Sequence, residues 1–130
     1  MLLNKQPDQQ IHDELIKRST ALGLTAYPFL PEDGTPYPFM VVSYTQIVPQ
    51  PTKSYLLGAV SAQVDVWSTA DDRKLVSDWI GKLMNEFSKI RWIGKTQWAM
   101  DLSSSTQIIK DNSTPELLYH GILDLKFKFH

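Results

Sequence analysis

The side chains best suited to acid–base or metal chemistry are the three histidines, His12, His120 and His130. No two of them are spaced to share a metal ion, which needs several converging ligands. Histidine titrates near neutral pH, so a catalytic or metal-binding role is the alternative for each. We expect all three to be solvated surface residues. No cofactor or metal site is predicted.

The acidic pair Asp71 and Asp72 could bind a cation, but carboxylates are also stabilised at the N-terminus of a helix by the helix dipole. Thr69 and Asp72 have the spacing of a capping box, in which Thr69 is the cap and Asp72 the reciprocal residue. The pair is therefore interpreted as capping the helix that follows.

The three consecutive serines Ser103–Ser105 are possible nucleophiles. A catalytic serine needs an adjacent base, and neither a nucleophile elbow nor a histidine in a defined relation accompanies these serines. The six glycines are scattered, so no glycine-rich phosphate-binding loop is present. The sequence predicts a protein that is not an enzyme.

The length of 130 residues fits one domain covering residues 1–130. Without cysteine the chain cannot use disulfides, thiolate metal sites or a cysteine nucleophile. A net charge of -1 argues against broad nucleic-acid binding. The apolar start Met1–Leu3 is shorter than the about 7–15 apolar residues of a signal peptide, and no stretch approaches the roughly 20 of a membrane span. We expect a soluble, unprocessed protein.

The first half of the sequence predicts a helix and three strands. Asp8 can cap a helix over Gln9–Leu22, which Gly23 can end. A short strand is predicted near Thr25–Phe29. β-branched and aromatic residues then indicate a buried strand from Phe39 to Thr45, and apolar residues alternate along its predicted partner, Gly58–Trp67.

The second half predicts a long helix and two further strands. A helix over 70–87 has a wide apolar face, formed by Leu75, Val76, Trp79, Ile80, Leu83, Met84 and Phe87. Gly81 within it would permit close backbone packing. The stretch Thr96–Lys110 is predicted as a strand with a bulge, or as two short strands, and 117–130 as the last strand.

These elements predict an α+β domain with the order α-β-β-β-α-β-β. Its sheet would have four to five mostly antiparallel strands, with two helices packed on one face. Lys126 and Lys128, on the outer face of the last strand, would either protect a sheet edge against aggregation or border a subunit contact.

The segment Ile47–Leu57 is predicted to form an exposed hairpin arm and is the first candidate for partner binding. Trp79 is assigned to the core, whereas the other three tryptophans are predicted to be half-exposed, as interface anchors often are. The interface candidates are Pro49, Gln50, Pro51, Thr52, Lys53, Tyr55, Leu56, Trp67, Trp92 and Trp98.

The passage Pro38–Tyr44, then Val60–Thr69, then the helix to Phe87 resembles the tail-terminator, or tail-to-head joining, proteins of long-tailed bacteriophages. In that family an N-terminal helix precedes two strands linked by a long hairpin, the second strand leads through a polar turn into a long helix, and two strands follow. The resemblance extends over nearly the whole chain and involves no catalytic motif.

The resemblance implies a structural role in the virion, with assembly in the host cytoplasm. Copies would form a homo-oligomeric ring, usually a hexamer, that ends the tail tube and joins it to the head connector. No membrane and no specific nucleic-acid sequence is implied as a partner. Another baseplate or neck component on a related fold is one alternative. The other is a small-molecule-binding or enzymatic domain with a pocket between sheet and long helix, lined by Tyr44, Trp67 and Trp98.

Overall fold

A computed structural model describes residues 5–51 and 56–130. The described elements are two helices and seven strands, in the order α-β-β-β-α-β-β-β-β. In chain order they are α1 (Pro7–Ala21), β1 (Ala26–Tyr27), β2 (Phe39–Pro51), β3 (Leu56–Thr69), α2 (Arg73–Phe87), β4 (Trp92–Ile93), β5 (Thr96–Met100), β6 (Ser105–Asp111) and β7 (Leu118–Phe129).

The strands form one mixed sheet in the order β1-β2-β3-β7-β5-β4, with β6 also paired to β7. All pairings are antiparallel except that of β1 with β2. The α+β class is confirmed, but the predicted four to five strands are too few. The serine run separates β5 from β6, one of the two predicted outcomes. The two-residue β4 is too short to show an alternating pattern in the sequence.

One face of the sheet carries the core. Alternate residues of β3, from Val60 to Val66, and of β7, from Leu123 to Phe129, are buried beneath the two helices. Four residues of α2 at helical spacing cover them: Val76, Ile80, Leu83 and Phe87. The helices are joined across their ends by Arg18, whose guanidinium lies 2.7 Å from Glu86 of α2. Both helices therefore lie on one face, as predicted.

Neither Asp8 nor Thr69 is the N-terminal cap predicted for its helix, although the predicted capping role of the acidic pair is confirmed at Asp72. α1 begins at Pro7 after Gln6, and no side chain caps it. Pro7 has no N–H to satisfy, which makes it a favourable first helical residue, so Asp8 lies within the first turn. At α2 the cap is Asp72, whose carboxylate accepts a hydrogen bond from the N–H of Leu75 at 3.2 Å. The Thr69 hydroxyl donates to Asp71 instead.

Strand β7 lies in the centre of the sheet and not at an edge. It pairs along its length with β3 on one side and with β6 and β5 on the other. The prediction that Lys126 and Lys128 protect an edge is therefore wrong, because their strand has no free edge. The Lys128 ammonium instead lies 3.6 Å from the Asp101 carboxylate on the neighbouring strand connection.

Alanine substitutions at two glycines should change stability in opposite directions. A Cβ at Gly58 would lie 2.7 Å from the Val48 carbonyl oxygen and 2.8 Å from the Phe129 ring, so Gly58→Ala should cost about 1–3 kcal/mol. Gly81 of α2 has open space around it, so the predicted close packing there is wrong. Gly81→Ala should add up to about 1 kcal/mol by helix propensity. Urea unfolding followed by circular dichroism checks both, and a neutral Gly58→Ala would refute the close approach of β2 and Phe129 to Gly58.

Candidate functional site: an interaction surface

The described part of the predicted arm belongs to the paired strands β2 and β3. Strands β2 and β3 remain paired as far as Pro51 opposite Leu56. Pro49 lies opposite Gly58 and Gln50 opposite Leu57 in the same ladder. The candidates Thr52, Lys53 and Tyr55 lie outside the described residues. The hairpin therefore extends well past the strand end predicted at Thr45.

The three candidate tryptophans have different environments. Trp98 is 1% exposed and packs in the core against Phe127 and Phe129, so its predicted half-exposed position is wrong. In β5 this side chain points toward the helices. The loop residues next to it in the sequence gave no indication of that direction. Trp92 is 59% exposed. Trp67 is half-buried on the sheet face opposite the helices.

Trp67 belongs to a polar cluster on that opposite face, which we call the outer face. Its indole stacks on the His120 imidazole with 3.9 Å between ring centroids. The His120 Nε2–H donates to the Asp65 carboxylate at 2.6 Å, and the Gln63 amide donates to the same oxygen at 3.0 Å. The prediction that His120 is a solvated surface residue is wrong, because its side chain is 13% exposed.

Burial would by itself raise the pKa of Asp65, but hydrogen bonds from His120, Ser43 and Gln63 outweigh it and hold that pKa below the ordinary value. The carboxylate is therefore charged at neutral pH and fully engaged by its neighbours. The Ser43 hydroxyl donates to the Gln63 carbonyl at 3.2 Å and also hydrogen-bonds to Asp65. The cluster is best explained as a structural network that fixes Trp67.

Beside Trp67 is a cleft of about 420 Å³ between two loops. Its apolar lining includes Leu30, Tyr37, Phe39 and Trp67, and Tyr37 stacks on Phe39 with 5.3 Å between ring centroids. Residues 31–35 and residues 113–116 also line it. We call this feature the aromatic cleft. It combines residues of two stretches, 30–39 and 113–118, for which the sequence predicts no role.

The pocket suggested for a small-molecule-binding domain is not formed as expected. Trp98 lies in the core on the helical face of the sheet, Trp67 lies on the outer face, and Tyr44 is 49% exposed. These three side chains therefore line no common cavity. Within residues 5–51 and 56–130, no three His, Asp or Glu side chains are grouped so that they could hold a metal ion. Neither described helix has the length and apolar character needed to cross a membrane.

No protein-family model matches the sequence and no curated protein matches it. Several solved structures, in contrast, do match it. A chain from the virion of a native gene transfer agent particle aligns with a TM-score of 0.66 and 7% identity over 92% of both chains. The gp17 protein of bacteriophage SPP1 aligns with a TM-score of 0.55 and 21% identity over 94% of this chain and 88% of that chain. At these identities the likeness shows a shared fold, which is the fold of these virion and phage proteins.

Proposed function

We propose that this protein is a structural component of a phage-type virion. Copies assemble into a ring, with six copies as the expected number, that ends the tail tube and joins it to the head connector. The observation that supports this most is the fold shared along 92% of both chains with a virion protein of a gene transfer agent particle. Protein made in the host cytoplasm would then enter the tail or neck of the particle.

A ring needs two different surfaces on each copy, because one surface contacts the next copy and a different surface contacts the previous copy. The described part of the chain offers two such surfaces at opposite ends of β2 and β3: the paired strand ends at Pro51 and Leu56, and the aromatic cleft beside Phe39 and Trp67. Both have a form suited to protein contacts, an extended hairpin and a concave apolar groove. This arrangement supports assembly more than catalysis.

Sedimentation velocity over a wide concentration range, with binding to purified tail tubes seen by negative-stain electron microscopy, tests the proposal. We expect a discrete closed oligomer near six copies, or density at tube ends. A concentration-independent monomer that ignores tube ends would contradict the proposal. Bovine serum albumin at the same concentration is the control for nonspecific binding to tubes.

A further inference from the structure

The aromatic cleft has an acidic rim. Glu32, Asp33 and Glu116 line it, and none of its lining residues is Lys or Arg. The negative charge acts within the cleft, since burial and then the charges of Glu116 and Asp33 raise the pKa of Tyr37. None of the three carboxylates forms an ion pair with a described residue. The cleft therefore suits an aromatic side chain that has positive charges beside it.

A second described surface has this chemistry. Trp92 of β4 is 59% exposed. Between residues 87 and 100 the charged side chains are all basic and all exposed, and they are Lys89, Arg91 and Lys95. Tryptophan and arginine are enriched among the residues that contribute most to protein interfaces. We call Trp92 and these three basic residues the tryptophan patch.

The tryptophan patch and the aromatic cleft of one copy lie too far apart to touch. β4, which contains Trp92, pairs with β5, and Trp98 of β5 pairs with Phe129 at the end of β7. The cleft lies at the other end of β7, where Leu118 lines it. The 12 residues of β7 span roughly 35 Å at the usual rise per residue. A contact between patch and cleft must therefore join two copies.

We propose that the tryptophan patch of one copy docks in the aromatic cleft of a second copy. This inference rests on the proposed function and identifies the two surfaces of its ring contact. The contact is head-to-tail, because each copy presents its cleft to one neighbour and its patch to the other. The cleft volume of about 420 Å³ is within the roughly 300–1,000 Å³ of pockets that hold small molecules, so the Trp92 indole fits. The basic residues of the patch lie against the acidic rim.

Two variants each remove one side of the contact. Trp92→Ala removes the aromatic anchor and should weaken self-association about 30-fold, as at the central aromatic residues of other interfaces. Glu32→Lys/Glu116→Lys reverses the charge of the rim and should weaken self-association about tenfold, because two exposed ion pairs are lost. Sedimentation velocity over a range of concentrations measures both association constants.

The controls separate loss of the contact from loss of the fold. Trp92, Glu32 and Glu116 are exposed, so thermal denaturation of the monomer should be unchanged in both variants. Asp78→Lys reverses an exposed carboxylate on α2, on the face of the sheet opposite Trp67. It should leave self-association unchanged.

Mixing the two variants tests whether the two surfaces meet each other. Each variant retains the surface that the other has lost. At a concentration at which neither variant self-associates, an equimolar mixture should form a complex of one copy of each, with the affinity of a single wild-type contact. This complex should not grow, because both of its remaining surfaces are altered. A mixture that stays monomeric overturns the inference, as does either variant if it assembles like the wild type.

Sedimentation and tube binding of the wild type separate failure of the inference from failure of the function. A closed oligomer that both variants still form overturns the inference and leaves the proposed ring intact. A complex of the two variants, from a protein that forms no closed ring and ignores tube ends, supports the contact and overturns the proposed function. A wild type that is monomeric at every concentration overturns the inference. Binding at tube ends would then leave the proposed function in place, and its absence would overturn both.

Discussion

Trp98→Ala should lower the free energy of unfolding by about 3–5 kcal/mol, the usual cost of removing a fully buried large aromatic side chain. The indole is 1% exposed and lies 6.2 Å from the Phe127 ring and 5.5 Å from the Phe129 ring, measured between centroids. The substitution leaves a cavity where β5 packs on β7. Guanidinium unfolding monitored by far-ultraviolet circular dichroism measures the change.

Trp92→Ala is the matched control, because it removes the same side chain from a position that is 59% exposed. Its effect on unfolding should stay within about 0.5 kcal/mol. Trp98→Phe adds a further check. The Trp98 Nε1–H is buried and has no acceptor among the described residues. Removing this unsatisfied donor should therefore offset part of the free energy lost with the smaller side chain. Equal losses for Trp98→Ala and Trp92→Ala would contradict the assignment of Trp98 to the core.

His120→Ala should cost about 3 kcal/mol, because it leaves the buried Asp65 carboxylate without its closest hydrogen-bond donor. The side chains of Asp65 and His120 are 8% and 13% exposed, so water cannot readily replace the lost donor. The stacking partner of Trp67 is lost as well. His12→Ala, which removes an imidazole beside the more exposed Asp13, is the control and should cost at most about 1 kcal/mol.

The same network predicts a dependence on pH. A carboxyl group whose pKa is depressed by folding stabilises the fold above its unfolded pKa, and this contribution disappears as pH falls through the folded pKa. The pKa of Asp65 is depressed in this way. The stability difference between wild type and Asp65→Asn should therefore be largest at neutral pH and narrow below about pH 4. A difference that is constant from pH 7 to pH 2 would show that the charge of Asp65 does not stabilise the fold.

The elements that bury a full face could be predicted from the sequence. Apolar residues alternate from Val60 to Val66 and recur at helical spacing from Val76 to Phe87. Each pattern indicates which side of its strand or helix faces the core. The helix boundaries were less certain, because Thr69, Asp71 and Asp72 are all acceptable near a helix N-terminus. Only the backbone geometry decides that Asp72 is the cap.

The outer-face cluster and the aromatic cleft could not be predicted in the same way. Asp65 and His120 are 55 residues apart and meet because the register of β3 with β7 pairs His120 with Trp67, two residues along β3 from Asp65. A shift of one residue would turn His120 to the opposite face. The cleft likewise depends on how residues 30–37 and 113–118 approach Trp67. Such loop positions leave no periodic trace in a sequence. The candidates chosen by residue type therefore included Trp67 but also the buried Trp98.

The central position of β7 has a consequence for how fast the molecule folds. Gly58 pairs with Phe129 and Thr69 with Leu118, so the middle of the sheet joins residues far apart in the chain. Closing such large loops costs entropy before the contacts are gained, and domains dominated by such pairings fold in milliseconds to seconds. Until β7 is in place, β3 has an unpaired edge. Newly made chains therefore pass through a period in which they can pair wrongly with one another, before the sheet is complete.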